Sequence, residues 1–145
     1  MHRRPLGRGR TLAALGGALM VAGSVLRWWL VGGTPGITAQ SGNGLAGSGI
    51  LVFLVGIVTL ALVALPYAAG DRPIGLDRWL SFALLAVAGW IGLAWRVVEL
   101  ATIGALQFST PAQVLTNGPG LWVAAIGLVM LSRSAYAMTR ESAYR

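Results

Sequence analysis

The chain has 145 residues, 56% of them hydrophobic and only 10% charged, with a mean hydropathy of +0.73. Soluble domains carry about 25% charged residues, so the composition excludes an ordinary water-soluble core and reads as an all-α integral membrane protein. Net charge is +7, from eleven arginines and no lysine against four acids.

There is no cysteine, which rules out disulfides, thiolate metal sites and thiol redox chemistry. The single histidine, His2, lies in the N-terminal tail, so a histidine-based catalytic, haem or metal site is not expected. The arginines flank apolar segments and form neither a basic helix nor an aromatic platform, which argues against nucleic acid as a partner. The arginine-only, Gly/Ala/Leu-rich usage points to a GC-rich bacterial genome.

Residues 1–10 form a basic tail with helix breakers and read as a cytoplasmic topology signal. A first span is expected over residues 11–31, about the 20 residues a bilayer needs, closed by Arg27-Trp28-Trp29. Residues 32–46 are an uncharged loop dense in glycine and turn formers. A second span is expected over 47–69, with Pro66 near its end, followed by a charged turn in which Asp77 is placed to cap the next helix. A third covers 79–103 and carries Trp90, Trp95, Arg96 and Glu99. A second uncharged polar loop, 104–118, leads to a fourth span over 119–138, where Pro119 falls at a first-turn position. Residues 139–145 make a charged tail.

Nine arginines fall in the N-terminal tail, the middle turn and the C-terminal segment, and none in the two long loops. The positive-inside rule then places both termini in the cytoplasm of a bacterial inner membrane protein.

An internal repeat is visible. Gly47, Gly49, Val52, Gly56, Val58 and Leu60 align with Gly118, Gly120, Val123, Gly127, Val129 and Leu131. Upstream, Gly23-x-x-x-Arg27 matches Gly92-x-x-x-Arg96. The expected architecture is a four-transmembrane-helix bundle of two parallel helical-hairpin repeats. Small residues at helical spacing, Gly16/Gly23, Gly49/Gly56, Gly89/Gly92 and Gly120/Gly127, are read as helix-packing positions.

The candidate site is a charge cluster. Arg96 and Glu99 lie three residues apart, on one helical face, inside an apolar run. Charges at that depth usually pair or face a bundle interior. The repeat brings Arg27 to a similar depth, so an Arg27–Glu99–Arg96 cluster is expected if spans one and three adjoin. Trp28, Trp29, Trp95 and Trp122 read as interface aromatics. With an arginine beside it, Glu99 suits a structural ion pair better than a proton-coupled carboxylate. No catalytic constellation is present, and neither an enzyme nor a cofactor is expected.

The stretch Gly23-Ser24-Val25-Leu26-Arg27-Trp28, the loop Gly42-Asn43-Gly44 and the opening Gly118-Pro119-Gly120-Leu121-Trp122 resemble a loose group of small four-span membrane proteins of actinobacteria and related GC-rich bacteria. Such proteins often show Pro before the Trp and Asp within the Gly pair, where this chain has Arg27 and Asn43. The resemblance implies a fold and no activity. Three functions fit: an accessory or scaffold subunit of a larger membrane complex, a small oligomeric transporter or channel using Arg27, Arg96 and Glu99, or a lipid or small-hydrophobe binder. The expected partners are membrane lipids and other membrane subunits or the chain itself.

Overall fold

A computed structural model describes residues 7–68, 78–106 and 111–143. The expected charged turn with Asp77, the position of His2 and the loop residues 107–110 lie outside the described residues.

The described chain is mostly helical, with one small sheet. Helix α1 spans Arg8–Val25, strands β1 and β2 span Arg27–Val31 and Gln40–Asn43, and a 3-10 turn at Gly47–Gly49 leads into α2, Ile50–Ala68. Helix α3 spans Arg78–Thr102, a short α4 spans Pro111–Asn117, and α5 spans Pro119–Ala143. Three segments are long and apolar enough to cross a membrane: Gly47–Ala68, Trp79–Thr102 and Pro119–Arg140. At 1.5 Å per residue, 22 residues reach roughly 33 Å, close to the hydrocarbon thickness. These three helices point to a membrane protein.

The first expected span, 11–31, is corrected. The helix stops at Val25, and Arg27–Val31 is a strand paired antiparallel with Gln40–Asn43. The segment Arg27-Trp28-Trp29-Leu30-Val31 is aromatic and β-branched, which suits a pleated surface. The loop expected over 32–46 therefore holds the second strand of a hairpin. At 18 residues, with Arg8 and Arg10 in its first turn, α1 is not among the three membrane-length apolar segments.

The hairpin also finishes α1. The last carbonyls of a helix have no partner within it. Here the Trp28 indole Nε1 donates to the Gly23 carbonyl at 2.7 Å, and the Gly44 amide donates to the Ser24 carbonyl at 2.9 Å. The pairing skips a residue between Arg27 and Trp29, so Trp28 is the extra residue of a bulge. That turn of the backbone sends Trp28 into the core, where it is fully buried.

Helix α3 ends differently. Gly104, at φ +73°, donates its amide to the Ala101 carbonyl, and the Ala105 amide reaches the Leu100 carbonyl. This left-handed glycine closure satisfies the last turn of α3 without a hairpin.

The long helices alternate in direction and form a ring in the order α1, α2, α3, α5. Helix α1 packs most extensively on α5 and next on α2, while α3 covers the remaining sides of α5 and α2. Glycines set the closest approach. A Cβ on Gly23 would lie 2.5 Å from the Ala124 amide nitrogen and 2.8 Å from the Gly120 carbonyl oxygen, and one on Gly16 would lie 2.7 Å from the Gly127 carbonyl oxygen. On the other flank of α1, Gly17 faces Gly56 and Leu60. Gly89 meets Leu128 of α5, and Gly92 meets Leu51 of α2. Gly49 packs instead on the backbone of Gly44, against the hairpin rather than a neighbouring helix. Met20, Val52, Leu128 and Leu131 are fully buried inside the ring. Side-chain bonds stitch the seams: the Ser134 hydroxyl donates to the Gly9 carbonyl at 2.6 Å, and the Trp90 indole donates to Ser132 Oγ at 3.0 Å.

Candidate functional site

Glu99 sits near the end of α3, beside the start of α2. Its Oε2 accepts from Arg96 Nη1 at 2.9 Å and from Ser48 Oγ at 3.0 Å, while its Oε1 accepts from Trp95 Nε1 at 2.9 Å. Three donors from two segments thus hold one carboxylate. Arg96 and Trp95 come from α3, three and four residues before Glu99, the spacings at which helical side chains meet. Ser48 comes from the turn that opens α2, where free amides favour a negative group.

Gly47 makes this junction possible. Its φ of +61° lies in the left-handed region, and a Cβ there would sit 2.5 Å from Arg96 Nη1. Arg96 is 11% exposed along its side chain, and its Nε is buried without a hydrogen-bond partner. The pair is therefore a lock between α3 and the start of α2.

Arg27 does not join it. Its exposed Nε donates to the Asn117 carbonyl at 3.1 Å, beside α4. Among the described residues, Arg96–Glu99 is the one ion pair. The reason is the ring order: α1 and α3 lie diagonally, with α2 and α5 between them. The expected three-residue cluster is thus two residues, supplemented by Ser48 and Trp95.

The four expected interface tryptophans divide. Trp28 is a core residue. Trp29 lies across β2 with its indole against Gly42, and its Nε1 is buried without a partner. Trp95 is 64% exposed despite its bond to Glu99, and Trp122 is exposed on α5. Sequence reasoning missed Ser48. Its signal was a serine at the start of a helix after a glycine-rich loop, the preferred place for a side chain that bonds across a helix terminus.

Two concavities border these residues. A cleft of about 390 Å3 lies between β1, the turn after α3 and α4, and includes Trp29, Gln113 and Asn117. A shallower apolar groove of about 440 Å3 runs along α3 over Ile91, Trp95 and Val98, with Glu99 at its side. Among the described residues, no group of three or more His, Cys, Asp or Glu side chains comes together to hold a metal ion.

No protein-family profile, no curated protein and no solved structure matches this chain.

Proposed function

We propose that the chain is a non-enzymatic accessory or scaffold subunit of a larger complex in a bacterial inner membrane. The observation that carries this reading is the use of Glu99. The only acid within the membrane-length helices is spent on Arg96, Ser48 and Trp95, so its chemistry serves packing. What α3 offers outward is apolar: Leu84, Val87, Ile91, Trp95 and Val98 are exposed along one side. That face is suited to lipid and to helices of other subunits.

The same reading takes α1 as a fourth span, lying beside the apolar helices and joined to α5 by glycine contacts. Two helical hairpins, α1–α2 and α3–α5, then make the bundle. Their contacts correspond, since α1 meets α5 as α3 meets α2. Gly9, near the start of α1, bonds Ser134 near the end of α5, so Arg8, Arg10, Arg133 and Arg140 gather at one end. The positive-inside rule puts that end, with both termini, in the cytoplasm. The resemblance to small four-span proteins of GC-rich bacteria fits this arrangement.

Native mass spectrometry of the protein taken from its own membrane in mild detergent tests the proposal. Masses containing larger heterologous subunits are the expected result. A homo-oligomer that moves a solute in vesicles, and loses that activity but not its fold on Glu99→Gln, would overturn it.

A further inference from the structure

The cleft beside β1 has the makings of a binding site independent of the partner reading above. Its walls come from three segments that the fold brings together: the outer side of β1, the turn closed by Gly104, and α4. Its volume, about 390 Å3, falls in the range of roughly 300–1,000 Å3 typical of small-ligand sites.

The chemistry of the lining is specific in one respect. No ionisable residue is among the residues that form it. It presents instead an indole, Trp29, two carboxamides, Gln113 and Asn117, and a hydroxyl, Thr34. Carboxamides and hydroxyls both donate and accept hydrogen bonds. Strand β1 pairs with β2 along one edge only, so alternate amides and carbonyls of its other edge face away from the hairpin. Trp29 adds an aromatic surface and a buried Nε1 donor without an acceptor, which calls for an explanation.

From this the geometry points to an uncharged, hydroxyl-rich ligand, a mono- or disaccharide unit, bound in the cleft with one face against Trp29. Sugar hydroxyls match neutral groups that donate and accept, and an oxygen arriving in the cleft supplies the acceptor that Trp29 Nε1 lacks. A charged ligand would leave its ion without a counter-charge in the lining. The sugar has two possible sources, a free saccharide or the headgroup of a glycolipid, and the cleft's chemistry is the same for both.

The test uses the full chain purified in a polyoxyethylene detergent, because alkyl-maltoside detergents carry the very group in question. Tryptophan fluorescence is titrated with glucose and maltose, with gluconate and glucosamine as charged controls. A parallel arm uses nanodiscs with and without a diglucosyl diacylglycerol, read by native mass spectrometry. Saturable binding of a neutral sugar, with at least tenfold weaker binding of the charged controls, is expected in one arm. The arm that responds identifies the source. Trp29→Phe keeps the ring and removes the donor, and Gln113→Ala alters an exposed wall position. Each is expected to weaken binding about tenfold, while Trp122→Phe, outside the cleft, leaves it unchanged. Circular dichroism confirms that each variant is folded. No saturable binding in either arm, or binding that ignores both Trp29→Phe and Gln113→Ala, overturns the assignment.

Discussion

The α1–α5 seam makes a sharp demand on Gly23. Alanine is the better helix former by about 0.8–1.0 kcal/mol, so Gly23→Ala would stabilise a helix standing alone. In the bundle the added methyl would lie 2.5 Å from the Ala124 nitrogen and 2.8 Å from the Gly120 carbonyl oxygen. Both neighbours are backbone and can yield only if α5 moves. Overpacking of this kind costs roughly 1–3 kcal/mol, and contact with immobile backbone places it at the upper end. The net expectation is a loss of about 2 kcal/mol.

Gly9, two turns and more away on the same helix, is the internal control. A methyl there would meet the flexible end of Met138, at 3.0 Å from Cγ and 3.3 Å from Cε. Methionine can swing aside, so Gly9→Ala should be neutral or gain up to about 1 kcal/mol from propensity. The two variants should therefore differ by about 2–3 kcal/mol, although each adds the same methyl to the same helix. Reversible unfolding in mixed micelles, followed by circular dichroism, measures this difference. Equal stabilities for Gly9→Ala and Gly23→Ala would mean that α1 and α5 do not touch backbone to backbone at Gly23.

Trp28 should behave as a core residue. Trp28→Ala is expected to cost about 3–5 kcal/mol, whereas Trp28→Phe retains most of the ring and loses the bond to the Gly23 carbonyl, about 1 kcal/mol; the same unfolding assay separates the two, and a silent Trp28→Ala would return the residue to the membrane interface. The two arginines of the internal repeat should differ in consequence. Arg27→Ala is expected to change stability by less than about 0.5 kcal/mol, as for other exposed positions. Glu99→Gln leaves Arg96 without its counter-charge and should lower the thermal midpoint by several degrees, with Ser48→Ala moving it in the same direction. If Arg27→Ala and Glu99→Gln were equally damaging, the two residues would have to share a site after all.

The helical segments were legible because hydropathy and length report directly on a bilayer-sized helix. Gly104 after Thr102, and Pro119 at the head of α5, mark ends by backbone chemistry that a sequence displays openly. The pairing of Arg96 with Glu99 was equally open, since a spacing of three on a helix is a local fact. What failed were inferences that depend on neighbours. An apolar run ending in Arg27-Trp28-Trp29 satisfies a helix pattern and a strand pattern alike, and the carbonyls waiting at the end of α1 decide between them. The expected meeting of Arg27 with Glu99 assumed that equivalent helices adjoin. In an alternating ring of four, the first and third are the pair that cannot touch.

That same geometry gives the hairpin its place in the molecule. Gly44 donates its amide to the end of α1, and a Cβ on it would run into the Trp28 ring. Three residues later Gly47 turns the chain under Arg96, and Ser48 reaches Glu99. One short stretch therefore caps α1, seats Trp28 and fastens the start of α2 to the end of α3. Since α1 and α3 have no seam of their own, this stretch is a direct mechanical link between the two diagonal helices at that end. The charged pair is worth keeping in an apolar setting on those grounds: a hydrophobic contact would hold α2 near α3, but it would not fix which turn of α3 the hairpin meets.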